Sequence, residues 1–587
     1  MKLGAQLTGA AGCTFRVWAP FAQKVSVVGE FNAWKPGSNS MRQEKDGIWF
    51  AHVPEARAEQ EYRFYIEGPT WNPDFKAWRP DPWSRQMVCS VGPSIIKDKN
   101  AFQWTDHNWS RQYTEYEDLV IYELHVGAFI GRNDTMRYPG NFRQLISKLD
   151  YLKNLGVNTI ELLPINEYYS DYFLGYAPVA FFPIESSLGS GKSTTYDDFK
   201  ALVDASHNKG LAVIADVVFN HFTDQGNWDN EQWMTNFDGD TRYGRGGIYL
   251  SGEKIKYGPA PDWSNPMVEK YVEEACRFYL EELHVDGLRW DLTNEISNKT
   301  NGWEAMRRIV WNLKQSPWGY GRIFIAEHHD YSRDVVESGN FDSGWFVDFH
   351  HIMERSFGGR GKDGSIEHAI NGGNYSRPHK RLVYAMSHDE ARNGGQYLVG
   401  EFGGRDSWAS RAKARALGAL TFFIPGIPMI WQGEELLQQG HFANERDLNC
   451  AMDWGLEWES HGSATHSMYR DAIAIRRNFT ALRYGDLAWP HPQDGNGVLA
   501  FRRRDCVNGQ EMLVVVNLGG ANWSESHGYG VATGSHGQWR QVFCSQDASY
   551  GGWDHAGNAF YEPWTQGDGR IYVNMPKYSV MVFLRTQ

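Results

Sequence analysis

The 587-residue sequence has few cysteines and none in a paired spacing: the six, at positions 13, 89, 276, 450, 506 and 544, are scattered without a CxxC. That excludes a disulfide frame or a cysteine-based metal knuckle and predicts reduced structural thiols. No stretch is long and apolar enough to span a bilayer. The opening MKLGAQLTGAAGCTFRVW lacks the continuous apolar core of a secretory signal, so the expected compartment is the cytoplasm. Lysine and arginine form no block, and 58 of them against 71 acidic residues leave a net charge of −13. This argues against a nucleic-acid or anionic-membrane partner. A GxSxG elbow and an HExxH run are also absent, which removes the main local signatures of serine hydrolases and zinc hydrolases. There are no internal repeats and no low-complexity linker.

What the chain does have is aromatic: 25 Trp, 29 Tyr and 31 Phe. Most of these suit a core, but tryptophans set among polar residues, as in DQGNWDNEQW (224–233), also suit stacking on the apolar faces of sugar rings. Residues 1–105 alternate and turn at short intervals (TFRVWAPFAQKVSVVGE, IWFAHV, EYRFYI), the pattern of a small β-sandwich. From 106 to 485, short β-branched runs alternate with helical patterns. The runs are LVIYELHV (119–126), NTIELLP (158–164), LAVIADVV (211–218), VDGLRWD (285–291), RIFIAE (322–327), GWFVDF (344–349), RLVYAMS (381–387) and IPMIWQ (427–432). Eight strand signals separated by helices predict an α/β fold, a (β/α)8 TIM barrel with its site at the strands' C-terminal ends. A long Trp/Asp/Gly-rich excursion at about 219–265 is expected to border that site. Residues 486–587 return to alternating strands, predicting a C-terminal β-sandwich.

Charged residues stand at the ends of these runs. In DGLRWDLTNE (286–295), Arg289 and Asp291 are two apart and therefore share a strand face, with Trp290 on the other. Two charges on a core strand need partners or a task, because an unpaired buried ion costs several kcal/mol or more. Asp216, Asp291, Glu327 and Asp389 each close a candidate strand, and a barrel would bring such ends to one mouth. Any one of them alone could be a cap or an ion-pair partner. As a set they suit retaining glycoside cleavage, which needs one carboxylate nucleophile and one carboxylic acid. His221 and His388 with these carboxylates have no metal-ligand spacing, and neither metal nor cofactor is expected.

The segments DVVFNH, GLRWD, IAE and SHDE, in that order, resemble the four signature regions of the α-amylase superfamily of retaining α-glucan enzymes. The opening TFRVWAP…VSVVGEFNAW is similar to the glucan-binding β-sandwich ahead of such barrels. The resemblance implies Asp291 as nucleophile, Glu327 as general acid/base and Asp389 as the residue holding sugar hydroxyls. It further implies Arg289 orienting Asp291, Asp216 in support, His221 and His388 donating hydrogen bonds to the sugar, and Tyr176 stacking beneath it. Glu327 is then expected to have a raised pKa and Asp291 to stay charged. IYELHVGAF, FYLEELHVDGLR and SHDE, with Ser387 and Glu390 flanking the His-Asp pair, are similar to glycogen branching enzymes, which implies transfer among α-1,4-glucans such as glycogen, amylose or maltodextrin. Trp290, Leu292, His328 and His329 depart from that pattern, and WQGEEL (431–436) resembles hydrolases equally. A hydrolytic relative and a non-catalytic glucan-binding protein therefore stand as alternatives. Calcium near Asn220 belongs to the hydrolytic alternative. Trp34 in FNAW reads either as a remote glucan contact or as a turn residue of the sandwich.

Overall fold

The computed structural model describes all residues except 1, 110–114, 132–138, 171–173, 225–232, 241–246, 330–331, 361–365, 374, 394, 443–450, 524–527 and 554–561. Most of DQGNWDNEQW, and Cys450, lie outside the described residues. By its internal contacts the chain forms two compact units, one of residues 1–110, 139–147 and 162–341, the other of 111–138, 148–161 and 342–587.

Eight fully buried runs form the barrel strands: β1 (Ile121–Leu124), β2 (Thr159–Leu162), β3 (Ala212–Val217), β4 (Gly287–Trp290), β5 (Ile323–Ala326), β6 (Ser343–Trp345), β7 (Arg381–Tyr384) and β8 (Ile427–Trp431). Their order closes in sequence, with β8 returning to β1. Continuous burial, rather than alternation, is what a strand covered on both faces requires. The sequence reading ran the sixth strand to residue 349, but it ends at Trp345 and a helix begins at Val347. The stretch NFRQLISKLDYLKNLG is likewise two helices, Phe142–Ile146 and Leu149–Leu155.

In the first unit, two sheets form the N-terminal sandwich. One contains Gly4–Leu7, Cys13–Trp18, Ile48–Val53 and Arg42–Gln43, the other Lys24–Gly29, Glu61–Glu67, Lys76–Arg79 and Ser94–Ile95. The run EYRFYIE alternates as read, burying Tyr62, Phe64 and Ile66. Tyr62 meets Phe15 of the other sheet edge-on, with centroids 5.0 Å apart. Trp34 lies in a turn at φ +60°. Part of the excursion pairs with itself, Leu250–Lys254 against Pro259–Pro261.

In the second unit the C-terminal region is a five-stranded antiparallel sheet, with a two-stranded ribbon of Tyr529–Ala532 and Arg570–Val573. Val498, Leu513, Val515, Val531, Trp539 and Ile571 belong to one buried cluster joining them. No helix among the described residues is long and apolar enough to cross a membrane.

Candidate active site

Parallel pairing of β3 with β4 puts Asp216 directly opposite Arg289. The ladder then continues past the strand ends, Asp291 N–H donating to the Val217 carbonyl at 3.0 Å and Glu327 N–H to the Trp290 carbonyl at 2.9 Å. Three consecutive strands therefore present their terminal carboxylates side by side, and Arg289 stands among them fully buried. Its Nη1 donates to Asp216 Oδ2 at 2.7 Å and to Asp291 Oδ1 at 3.0 Å, and its Nη2 to Glu327 Oε2 at 2.9 Å. One rigid guanidinium fork thus holds the carboxyl groups of Asp291 and Glu327 within a few ångströms of each other, a task that suits Arg over Lys.

The remaining oxygens have their own partners. Asn220 Nδ2 donates to Asp291 Oδ2 at 2.7 Å and to the Asp291 carbonyl at 2.9 Å. Tyr176 Oη donates to Asp216 Oδ2 at 2.6 Å. Glu327 Oε2 also accepts from the Leu292 N–H at 2.9 Å, and Oε1 lies 2.9 Å from His329 Nε2. Leu292 supplies that N–H from φ +40°. A branched residue is strained there, and such strain concentrates at functional sites. His221 is buried and held neutral, its pKa lowered to about 4 by burial, with Nε2 3.1 Å from the Tyr176 carbonyl and Nδ1 bonded to Asn220 Oδ1.

The charge balance differs from the one expected from sequence. Burial pushes the Asp291 carboxyl up and the Glu327 charge adds to this, so it titrates well above the usual carboxylate range despite Arg289 and Asn220. Burial acts on Glu327 too, but the Arg289 charge and the bonds from His329 and Leu292 outweigh it and hold that carboxyl down. The reason is geometric: Nη1 is divided between Asp216 and Asp291, whereas Nη2 serves Glu327 alone among these carboxylates. Three carboxyl groups around one guanidinium carry a net charge of about −2 if all ionise, so one retained proton is favoured.

In the second unit, His388 and Asp389 open a short helix, His388–Arg392, just beyond β7 and capped by Ser387. His388 is fixed from β1: its Nδ1 lies 2.6 Å from Glu123 Oε1, and its N–H donates to Glu123 Oε2 at 3.1 Å. His388 Nε2 is 3.5 Å from Asp389 Oδ1. The structure therefore brings Asp216, Arg289, Asp291, Glu327, Tyr176 and His221 into one network. His388 and Asp389 form a second pair in the other unit. Sequence reasoning missed Asn220 as a holder of Asp291, Glu123 as the anchor of His388, and the direct bond from His329. Glu123, in the first barrel run, was the one findable signal, as an acidic residue inside an apolar strand.

Comparison with known families identifies the architecture. Residues 2–84 match Carbohydrate-binding module 48 (Isoamylase N-terminal domain), 97–243 match Alpha amylase, catalytic domain, and 489–586 match Alpha amylase, C-terminal all-beta domain. Over these segments the chain is similar to the α-amylase superfamily. Within it, similar curated proteins are 1,4-alpha-glucan branching enzymes. GlgB 2 of Xanthomonas campestris pv. campestris (strain 8004) is 29% identical over 580 residues, 92% of this chain and 75% of that protein. GlgB of Oceanobacillus iheyensis is 26% identical over 633 residues, 98% and 93%. Among solved structures, a putative alpha amylase from Salmonella typhimurium matches at TM-score 0.75 and 21% identity, covering 100% of this chain and 99% of that one. Pullulanase from Bacillus acidopullulyticus matches at TM-score 0.80 and 20% identity, covering 100% and 75%. Both share the fold.

Proposed function

We propose that the protein is a 1,4-α-glucan branching enzyme. Its substrate would be an α-1,4-glucan such as glycogen, amylose or maltodextrin. Asp291 attacks the anomeric carbon and displaces the chain beyond it, whose oxygen is protonated by Glu327. The glycosyl-aspartate is then opened by a 6-hydroxyl of a second chain, which Glu327, now ionised, deprotonates. Both displacements invert, so the new α-1,6 link retains the anomeric configuration. Asp389 is proposed as the carboxylate that holds hydroxyls of the distorted sugar, with His388 and His221 as hydrogen-bond partners of the same sugar. Tyr176 would stack beneath the ring, and Asp216 would support Arg289.

The observation that carries the chemistry is the shared fork of Arg289. It keeps two carboxyls adjacent, and attack requires a proton on Glu327 while Asp291 is ionised. Contact between the glycosidic oxygen and Glu327 would favour the proton there, because a leaving-group oxygen accepts a hydrogen bond only from the acid form. The choice of branching over hydrolysis rests on the branching-enzyme relatives, which align over more than nine-tenths of the chain. Hydrolysis is the second reading, favoured by the pullulanase fold likeness and by His328 and His329 after the acid/base.

The proposed division is a sandwich at 1–105, a barrel at 106–485 and a C-terminal β-domain at 486–587. A cytoplasmic location accords with the free thiols of Cys13, Cys89, Cys276, Cys506 and Cys544.

The test incubates the protein with amylose, follows iodine colour and reducing ends together, and then debranches the product with isoamylase. Branching gives loss of colour with few new reducing ends and short chains released on debranching. Reducing ends rising in step with the loss of colour would replace transfer with hydrolysis.

A further inference from the structure

A second cluster, unused by the proposed chemistry, stands on the two helices that follow β6 and β7. His350 and His351 lie on α1 (Val347–Gly358), and Glu390 lies on α2 (His388–Arg392). One ligand-type atom from each lies within 4.8 Å of the others. His350 Nε2 is 3.5 Å from Glu390 Oε2, and His351 Nε2 is 4.0 Å from Glu390 Oε1.

The orientation of His350 is fixed from behind. Its Nδ1 lies 2.6 Å from the Ala385 carbonyl, just past β7. A carbonyl only accepts, so Nδ1 carries the proton, and in the neutral ring Nε2 keeps its lone pair toward Glu390. Burial favours that neutral ring. A histidine tied through one nitrogen to a backbone carbonyl is the arrangement that orients metal-binding imidazoles.

A plain ion pair accounts for the cluster less well. Charge-assisted N–H···O bonds close to about 2.7–2.9 Å, and both His–Glu approaches here are longer. Ligand atoms about 2.0–2.2 Å from a tetrahedral zinc ion sit roughly 3.3–3.6 Å from one another; the His350–Glu390 approach of 3.5 Å already has that spacing, and the other approaches are wider, at most 4.8 Å. His351 is half exposed, its side chain at 50%, so it is free to swing inward by the roughly 1 Å that closure on an ion needs.

We propose that His350, His351 and Glu390 form a binding site for a borderline divalent cation of the zinc class. Two imidazoles and one carboxylate match zinc better than calcium or magnesium, which take all-oxygen shells. The exposed side of His351 leaves a fourth position for water. The ion ties α1 to α2, the short helix that also carries Asp389, and so steadies that residue. This inference stands independently of whether the enzyme transfers or hydrolyses, and it departs from the expectation, from sequence spacing, of no metal.

The test uses full-length protein, freed of any purification tag and stripped with chelator. Zinc sulfate is titrated by calorimetry, and cobalt chloride by visible absorption. The expected result is one saturable site of micromolar or tighter affinity and a cobalt band of tetrahedral intensity. Affinity should fall by about 100-fold in His351→Ala and in Glu390→Gln, since each removes one of three ligands. Magnesium and calcium chlorides should give no comparable heat. His351 is exposed enough for its variant to fold, which a melting curve without metal checks. Absence of saturable zinc binding in the wild type would overturn the proposal. So would affinity unchanged in both variants, which would put the ion on other histidines, or equal binding of magnesium.

Discussion

Arg289 Nη2 lies 2.9 Å from Glu327 Oε2, while Nη1 of the same guanidinium bonds Asp216 and Asp291. The proposed acid and the proposed nucleophile are therefore linked through one cation, and the charge on either is felt by the other. A change at Arg289 should disturb catalysis and folding together, and the two effects separate by pH.

Replacing Arg289 by Leu leaves Asp216, Asp291 and Glu327 buried without their cation. Removing one partner of a buried pair costs about 3–5 kcal/mol, and the cost at neutral pH should be of that order. The orphaned carboxyls can escape by protonation, so the stability gap to wild type should narrow as pH falls. Urea unfolding at pH 7.5 and pH 5 checks this. A gap equal at both values would mean that the loss comes from packing rather than charge.

Asp291→Ala and Glu327→Gln should each lower turnover on amylose by about 10³-fold or more, since each removes the group that makes or protonates a bond. Arg289 keeps two carboxyl partners in Asp291→Ala, so the variant should stay folded. Glu327→Gln keeps a carbonyl oxygen for Arg289 Nη2. Turnover near wild type in either variant, with an unchanged melting curve, would remove that residue from the mechanism.

The barrel strands could be read from sequence because each lies in a short, mostly apolar run buried on both faces, set between longer segments of helical spacing. Asp216, Arg289, Asp291 and Glu327 were legible for a related reason, as charges abruptly ending such runs. Asn220 was not, because its partner Asp291 is 71 residues away and only the parallel register of neighbouring strands joins them. Leu292 was illegible in another way: its φ of +40° opposes the preference of its side chain, so local propensity points elsewhere. The sixth strand was overextended because GWFVDF continues as an apolar, aromatic run through Val347, where α1 begins. The protonation pattern was not legible because it depends on which guanidinium nitrogen faces which carboxylate, and no spacing in sequence encodes that.

His329 Nε2 lies 2.9 Å from Glu327 Oε1 and favours the ionised form of that carboxyl. Without it, Glu327 should hold its proton to higher pH. The basic limb of kcat/KM, which reports the group that must be protonated, should therefore move up in His329→Ala. His329→Gln, which can donate a hydrogen bond but carries no charge, should lie between the two. A limb that stays in place while only KM changes would make His329 a substrate contact and not a tuner of the acid.

Glu434 gives a stability prediction away from the carboxylate network. It is buried behind β8, accepts from Tyr469 Oη, and burial raises its pKa to about 8. An unfolded glutamate titrates at about 4.3. Between those values the folded chain holds a proton that the unfolded chain releases, so the stability this group contributes is complete at low pH and lost as pH rises through 8. Glutamine keeps the acceptor oxygen for Tyr469 and cannot ionise. Glu434→Gln should therefore gain on the wild type steadily from pH 5 to pH 8.5, by a few kcal/mol at most, read as a widening difference in Tm. If the two melting curves fall in parallel across that range, Glu434 is not the group that titrates on unfolding. The decline would then belong to its neighbour Glu435, whose carboxyl is also raised by burial and bonded by Tyr122 and Tyr151.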